Sequence, residues 1–173
     1  MRNKRAVFEF IGDVLNMEII VRKARLSDAV DLARLYIEFW KPHKKSDPLL
    51  KFKEKLTLKN QMTAARKDIK KRSNHIFVAV KGNEVIGFIE FFIKKNDKVF
   101  KIKEYGYLNS ATILKKYRRR GIAKKLYLVA AKFLKDRGIK YIKTNVYISN
   151  KLALKAWQKI GFKTQSSILI KRI

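Results

Sequence analysis

Apolar and polar positions along the chain switch repeatedly between a period of two and a period of three to four, and the switches outline a mixed succession of strands and helices. Met17 to Ala24 alternates as a strand. Ser27-Asp28 then opens a helix whose stripe is Ala29, Leu32, Ala33, Tyr36 and Trp40, and Pro42 is expected to stop it. A loop through Ser46-Asp47-Pro48 leads to a long basic helix from about Leu50 to Arg72, with apolar contacts from Phe52, Leu56, Met62, Ala65 and Ile69. Ile76 to Lys81 and Glu84 to Ile93 read as strands joined by Gly82-Asn83, a hairpin signal. A turn at Asn96-Asp97 precedes a strand that starts near Val99 and includes Tyr105 to Ile113. Helical spacing returns from about Gly121 to Arg137, with Ile122, Leu126, Val129, Ala130 and Phe133 inward, and Gly138 ends it. Tyr141 to Ile148 is the next strand and Asn150 to Ile160 the last helix. That helix lies between an N-cap at Ser149 or Asn150 and a C-cap at Gly161, with Ala153, Ala156, Trp157 and Ile160 on one face. Phe162 to Ile170 reads as a final strand.

At 173 residues and 47% hydrophobic, the chain has the size and apolar content of one globular domain, and no apolar run reaches membrane-spanning length. Arg2-Asn3-Lys4-Arg5 begins like a signal peptide, but Glu9 and Asp13 interrupt the apolar stretch behind it. Val7, Phe8, Ile11, Val14 and Leu15 have helical spacing, so residues 1–16 are expected to be a docking helix or a frayed extension, and 17–173 the domain. With no cysteine there is no disulfide framework, thiolate nucleophile or thiolate metal site, and His43 and His75 lie too far apart in sequence to suggest zinc. No metal is expected.

The 43 Lys and Arg against 14 Asp and Glu, a formal charge of +29, change the picture of the partners. Such a field attracts polyanions, so non-specific nucleic-acid binding is expected, but the cations are dispersed and no nucleic-acid-binding motif accompanies them. A dispersed lysine excess without cysteine equally fits a heat-adapted cytoplasmic protein. No membrane partner is expected, and the sequence does not indicate an oligomeric state.

The run Tyr117-Arg118-Arg119-Arg120-Gly121-Ile122-Ala123 lies between a strand and a helix. A turn ending in glycine lets backbone approach a ligand closely, and the first N–H groups of the next helix point at any anion placed there. One helix and one strand later comes Asn150-x-x-Ala153-x-x-x-Trp157-x-x-x-Gly161-Phe162. Together the Arg-x-x-Gly-x-Ala turn and this second pattern resemble the signatures of the GCN5-related N-acetyltransferase (GNAT) superfamily, in motif most similar to protein N-terminal acetyltransferases. The order β-α-α-β-β-β-α-β-α-β matches that fold from Met17 onward. The resemblance implies an α+β fold, a mixed sheet of about six or seven strands flanked by about four helices.

It also implies direct acetyl transfer from acetyl-CoA, as cosubstrate, to an amine. The diphosphate would sit on the amides of Arg118, Arg119, Arg120, Gly121, Ile122, Ala123 and Lys124. Ile113 and Asn150 would complete the cofactor-binding set, and the pantetheine arm would lie where the strand through Ile113 splays from the next one. Lys125 reads as solvated. The family Tyr that serves the departing thiolate is Trp157 here, whose indole is no useful acid. No carboxylate stands between Tyr105 and Leu114 to act as base. Tyr107 occupies the catalytic position of some N-terminal acetyltransferases, although it also reads as a plain strand aromatic, and Asn145 occupies a place from which a water is oriented. Glu90 and Glu104 are weaker candidates for the base and read first as surface or ion-pair residues. With so weak a set of bases, an α-amine, costing about 1.4 kcal/mol to deprotonate at neutral pH, suits the site better than a lysine at about 4.6 kcal/mol. The expected acceptor is therefore a protein or peptide α-amine, with lysine next. Its groove would be walled by Tyr36, Trp40, His43 and Asp47, with a basic rim favouring acidic acceptors. Two other readings fit the same residues: a catalytically weak relative that binds RNA or a ribosomal partner, and a small-molecule acetyltransferase of polyamine type.

Overall fold

A computed structural model describes residues 18–46, 49 and 55–171. Its centre is a five-stranded sheet in sequential order, β1 (Ile19–Lys23), β2 (His75–Lys81), β3 (Glu84–Lys95), β4 (Glu104–Ile113) and β5 (Ile142–Thr144). Neighbours are antiparallel except β4 and β5, which run parallel. The helices are α1 (Ala29–Ser46), α2 (Leu58–Lys70), α3 (Ile122–Lys135) and α4 (Lys151–Ile160).

The sheet separates two cores. Val78 and Phe88 point to one face, where they pack with Leu32, Leu35 and Tyr36 of α1 and Ala65 of α2. Ala79 and Ile89, one residue along, point to the other face and pack with Leu126, Ala130 and Leu134 of α3. This alternation explains why β3 reads as an almost continuous apolar run: a central strand buried on both faces needs one. Each fully buried Leu, Ile or Phe contributes about 1.5–3 kcal/mol. Gly106 on β4 lets α3 come close, since a Cβ there would stand 2.5 Å from Leu134 Cδ1.

Entry into α1 is held by charge. Arg22 on β1 grips Asp28 with two bonds of 2.7 and 2.8 Å, and the N–H of Arg25 donates to the same carboxylate at 2.7 Å. Burial of Asp28 opposes ionisation, but the Arg22 and Arg25 bonds outweigh it and hold the carboxyl below its usual range.

Several elements differ from expectation. Pro42 does not stop α1, which continues to Ser46 with the proline inside. The aromatic contacts that His43 makes beyond it, with Phe39, Trp40 and Tyr147, favour the extra turn despite the lost N–H. Helix α2 starts at Leu58 because Thr57 caps it, its hydroxyl accepting from the Asn60 N–H at 3.2 Å. Strand β4 starts at Glu104, not Val99. Residues 96–103 close as a loop, with Asn96 N–H donating to the Lys103 carbonyl, and leave Val99 and Phe100 exposed. Strand β5 is cut to three residues, and the segment Phe162 to Ile170, expected as a strand, joins no ladder, so five strands stand among the described residues instead of six or seven. A strand requires a partner as well as a pattern, and the β5 edge that would receive this segment stops at Thr144. The apolar leader positions Val7, Phe8, Ile11, Val14 and Leu15, together with Asp47, Pro48, Leu50 and Phe52, lie outside the described residues.

Because the Asp28 carboxyl is held low, its stabilising effect is fully present above the usual carboxylate range and is lost as pH falls from there through the lowered value of the folded state. Urea unfolding is expected to show Asp28→Asn less stable by about 2–3 kcal/mol at pH 7, with the difference shrinking once the pH falls below the usual carboxylate range.

Candidate active site

The site begins where strands β4 and β5 part. Their parallel ladder runs only over Gly106, Tyr107 and Leu108 of β4, paired with Ile142, Lys143 and Thr144. Strand β4 continues to Ile113 against β3, so from Asn109 onward its other edge has no strand beside it. At that same residue the β3–β4 register shifts: Phe91 faces Leu108, Glu90 faces Ser110, and Asn109 is in register with neither neighbour. An extra residue of this kind bends its strand and increases the local twist, which opens the wedge between β4 and β5.

At the far end of β4 the chain turns through Lys115–Tyr117 into α3. Arg119 (φ 62°) and Gly121 (φ 74°) both adopt left-handed backbone. The first bond within α3 runs from the Lys125 N–H to the Gly121 carbonyl, and no side chain caps the helix. The N–H groups of Ile122, Ala123 and Lys124 are therefore available to an anion, flanked by the exposed side chains of Arg119, Arg120, Lys124 and Lys125. Arg120 also stands over the Tyr117 ring, 5.8 Å from its centroid. The Arg118 side chain is engaged elsewhere: Nε donates to the Ile113 carbonyl at 2.8 Å, and Nη2 pairs with Glu38 of α1 at 2.8 Å. It ties α1 to the end of β4 and leaves the cradle to backbone and to its neighbours.

A groove opens on the other side of the wedge. Tyr107 and Asn145 both line it, with Tyr127, Trp157, and the aromatic wall of Tyr36, Phe39, Trp40, His43 and Tyr147. Both catalytic candidates thus line one groove, and Tyr36, Trp40 and His43 stand in its lining. Ile113 and Arg118 to Lys124 lie outside this lining, and Asn150 serves α4 as its N-cap, its Oδ1 accepting from the Ala153 N–H at 3.1 Å. Burial raises the Tyr107 phenol above its ordinary range, with the neighbouring Tyr105 adding to the effect, so it is a proton donor at neutral pH. Lys94 Nζ sits 3.9 Å over its ring. His43 Nδ1 stands 2.6 Å from the Phe39 carbonyl. Since a carbonyl only accepts, that nitrogen carries the proton, and Nε2 is the accepting atom of the neutral ring. Trp157 packs edge-on with Tyr127 and Phe162, a role for which the indole is well suited.

The residue that sequence reasoning misplaced is Glu90. It is 6% exposed, forms no ion pair among the described residues, and accepts from Asn109 Nδ2 (2.7 Å), Ser110 Oγ (2.8 Å) and Asn74 Nδ2 (3.1 Å). Close by, Tyr36 donates to Asp68 at 3.3 Å, and the Asp68 carboxyl is pushed up by burial and by the Glu90 charge. Burial, then Glu90 and Asp68, drive the Tyr36 phenol far above its ordinary range. Both carboxylates line the groove. The one available signal was the position of Glu90 within an otherwise apolar central strand, where a charge has to meet partners. Among the described residues no group of three His, Cys, Asp or Glu is arranged to hold a metal, and no helix is long and apolar enough to cross a membrane.

The model of the acetyltransferase (GNAT) family matches residues 31–162. No curated protein matches the sequence at a significant level. Among solved structures, the aminoglycoside N-acetyltransferase AAC(6')-Iy in complex with CoA is similar at a TM-score of 0.73 and 16% identity, covering 91% of this chain and 96% of its own. A ribosomal-protein-alanine N-acetyltransferase from Brucella melitensis biovar Abortus 2308 is similar at 0.68 and 18%, covering 90% and 100%. The BH1408 protein from Bacillus halodurans, solved as a tetramutant, reaches 0.78 at 16%, covering 89% and 99%. At these identities the likeness is one of fold.

A side chain at position 121 would meet no atom within 4 Å, so the cost of Gly121→Ala comes from the left-handed backbone alone. The substitution is expected to lower stability by about 1–2 kcal/mol, read from denaturant midpoints.

Proposed function

The chain belongs to the acetyltransferase (GNAT) family and is an acetyl-CoA-dependent N-acetyltransferase; from that premise we propose that its acceptor is the α-amine of a protein or peptide whose following residues are acidic. The observation that carries this reading is the separation of charge along the groove. Asp68 and Glu90, with Lys71 beside them, are the carboxylates that line it where α2 and β3 meet, whereas Lys140, Lys143, Lys163 and Lys171 line the part along β5 and the C-terminal segment with no carboxylate among them. An ammonium group is attracted to the first end and acidic side chains to the second. A polycation such as an aminoglycoside meets the same lysines and is disfavoured.

Acetyl-CoA supplies the activated acyl group. The Ile122, Ala123 and Lys124 amides suit its diphosphate, with Arg119 and Arg120 screening the phosphates, each well-aligned charged hydrogen bond contributing about 1.5–3 kcal/mol. The edge of β4 from Asn109 to Ile113 offers backbone pairing to the amides of the pantetheine arm. Asn145 and the Tyr107 hydroxyl flank the opening, where they hold a water that receives the proton of the amine. The His43 imidazole, with Nε2 as acceptor, stands farther along the groove as the group able to pass that proton on. Trp157 supplies no proton to the leaving thiolate. A thiol of pKa near ~8.5 leaves readily enough that turnover survives without such an acid.

Calorimetry in moderate salt tests the donor half: saturable binding of acetyl-CoA that exceeds binding of a nucleotide lacking the pantetheine arm is expected. For the acceptor half, kcat/KM is compared for peptides with acidic or basic second and third residues, for the same peptides N-terminally blocked but bearing a lysine, and for a polyamine. Unblocked acidic peptides are expected to be best, and a ranking headed by the polyamine or the blocked peptides would overturn the assignment. Tyr107→Phe is expected to lower kcat by about 10- to 100-fold while leaving the calorimetric affinity for acetyl-CoA in place.

A further inference from the structure

We infer that Glu90 is a positioning residue whose buried carboxylate pins the β4 bulge at Asn109 and so fixes the wedge in which the acyl donor is held; this rests on the reading that the donor lies along the freed edge of β4. The two donors to its Oε2 are Asn109, which has no register partner, and Ser110, where the ladder resumes. Its Oε1 accepts from Asn74, which precedes β2. One carboxylate thus grips both residues of the register shift and anchors them to the neighbouring strand. Among the described residues no Lys or Arg pairs with it, so a full charge is kept inside the fold by neutral donors alone. Such a group is costly to bury, and an apolar residue at the same place would share the face of Phe88 and Tyr36 without that cost. What an apolar residue cannot do is hold a bulge, because the bulge takes Asn109 out of the ladder and offers its side chain nothing else to bond. A bulge left unpinned can migrate or anneal, and a one-residue slip in β4 would exchange the faces of Tyr107 and Leu108.

The competing role for a carboxylate that lines the groove is to take the proton of the amine. Glutamine separates the two roles. Its carbonyl oxygen can occupy the place of Oε2 and accept from Asn109 and Ser110. Its amide then meets Asn74, whose own amide can turn to offer an oxygen. The pin survives and the base does not.

Steady-state kinetics of the full chain with acetyl-CoA and the best peptide are expected to show Glu90→Gln raising the KM for the peptide, because the groove loses one of its two carboxylates, while kcat and the KM for acetyl-CoA stay within about threefold of the parent. Glu90→Ala is expected to lower kcat by about 30- to 100-fold and raise that KM, and Ser110→Ala, which removes one of the two bulge donors and leaves the charge, to lower kcat by about 5- to 10-fold. A glutamine variant as inactive as the alanine one, with the KM for acetyl-CoA unchanged, would overturn the inference in favour of a proton-accepting Glu90. So would full activity in either alanine variant. If Glu90→Ala fails to fold, the Ser110→Ala and Glu90→Gln pair decides alone. Failure of the parent itself to bind acetyl-CoA by calorimetry would instead strike at the functional reading, and is read separately.

Discussion

Everything that makes this chain more than a twisted sheet with four helices depends on one strand being shared unequally. Strand β4 is paired with β3 along its whole length but with β5 along less than half of it, and the change comes at Asn109, where the register with β3 also breaks. A parallel neighbour that stops after three pairs leaves backbone donors and acceptors with nothing to bond. In the interior of a fold that would be a fault, but at a ligand cleft it is the means of recognition, since an extended amide-bearing chain can pair with the exposed edge as an added strand does. The three donors around Glu90 hold the break where it is.

Two more features are aligned with that edge. The same strand runs on into a turn in which Arg119 and Gly121 take left-handed backbone, so that α3 begins with its amides unspent. Arg118 spans from the Ile113 carbonyl to Glu38, and through it the end of β4, the turn and α1 move together. The uncapped start of α3 and the freed edge of β4 are thereby fixed to one strand, and Asp68 and Glu90 are the carboxylates among the described residues that line the groove. In a protein with 43 basic residues, two carboxylates with limited access to water dominate their surroundings more than any surface lysine does, because water screens the lysines and screens buried groups far less.

How much of this was legible depended on the range of the interactions. The Gly121 turn, the Asn150 cap and the Gly161 stop are decided within a few residues, and all three stand where their local chemistry put them. Pro42 and the segment after Phe162 show the opposite. The first lies inside a helix because the distant Tyr147 ring packs on His43 just beyond it, and the second is no strand because its would-be partner ends early. The groove was only half visible. Tyr107 and Asn145 were singled out by position and line it, but Glu90 was assigned to the surface or an ion pair, since its three partners come from residues 16 to 20 positions away in the chain.

By itself, then, the sequence determined the alternation of strands and helices, the helix caps and the anion cradle, because hydrophobic period, left-handed turns and unsatisfied first-turn amides are properties of short stretches of backbone. The tertiary structure alone decided where β4 leaves its neighbours, which way Arg118 turns, and that a glutamate in the middle of an apolar strand is satisfied inside the protein. Those outcomes depend on ladder register and on side chains far apart in the chain, and register is chosen by the packing of the whole sheet and not by any one of its strands.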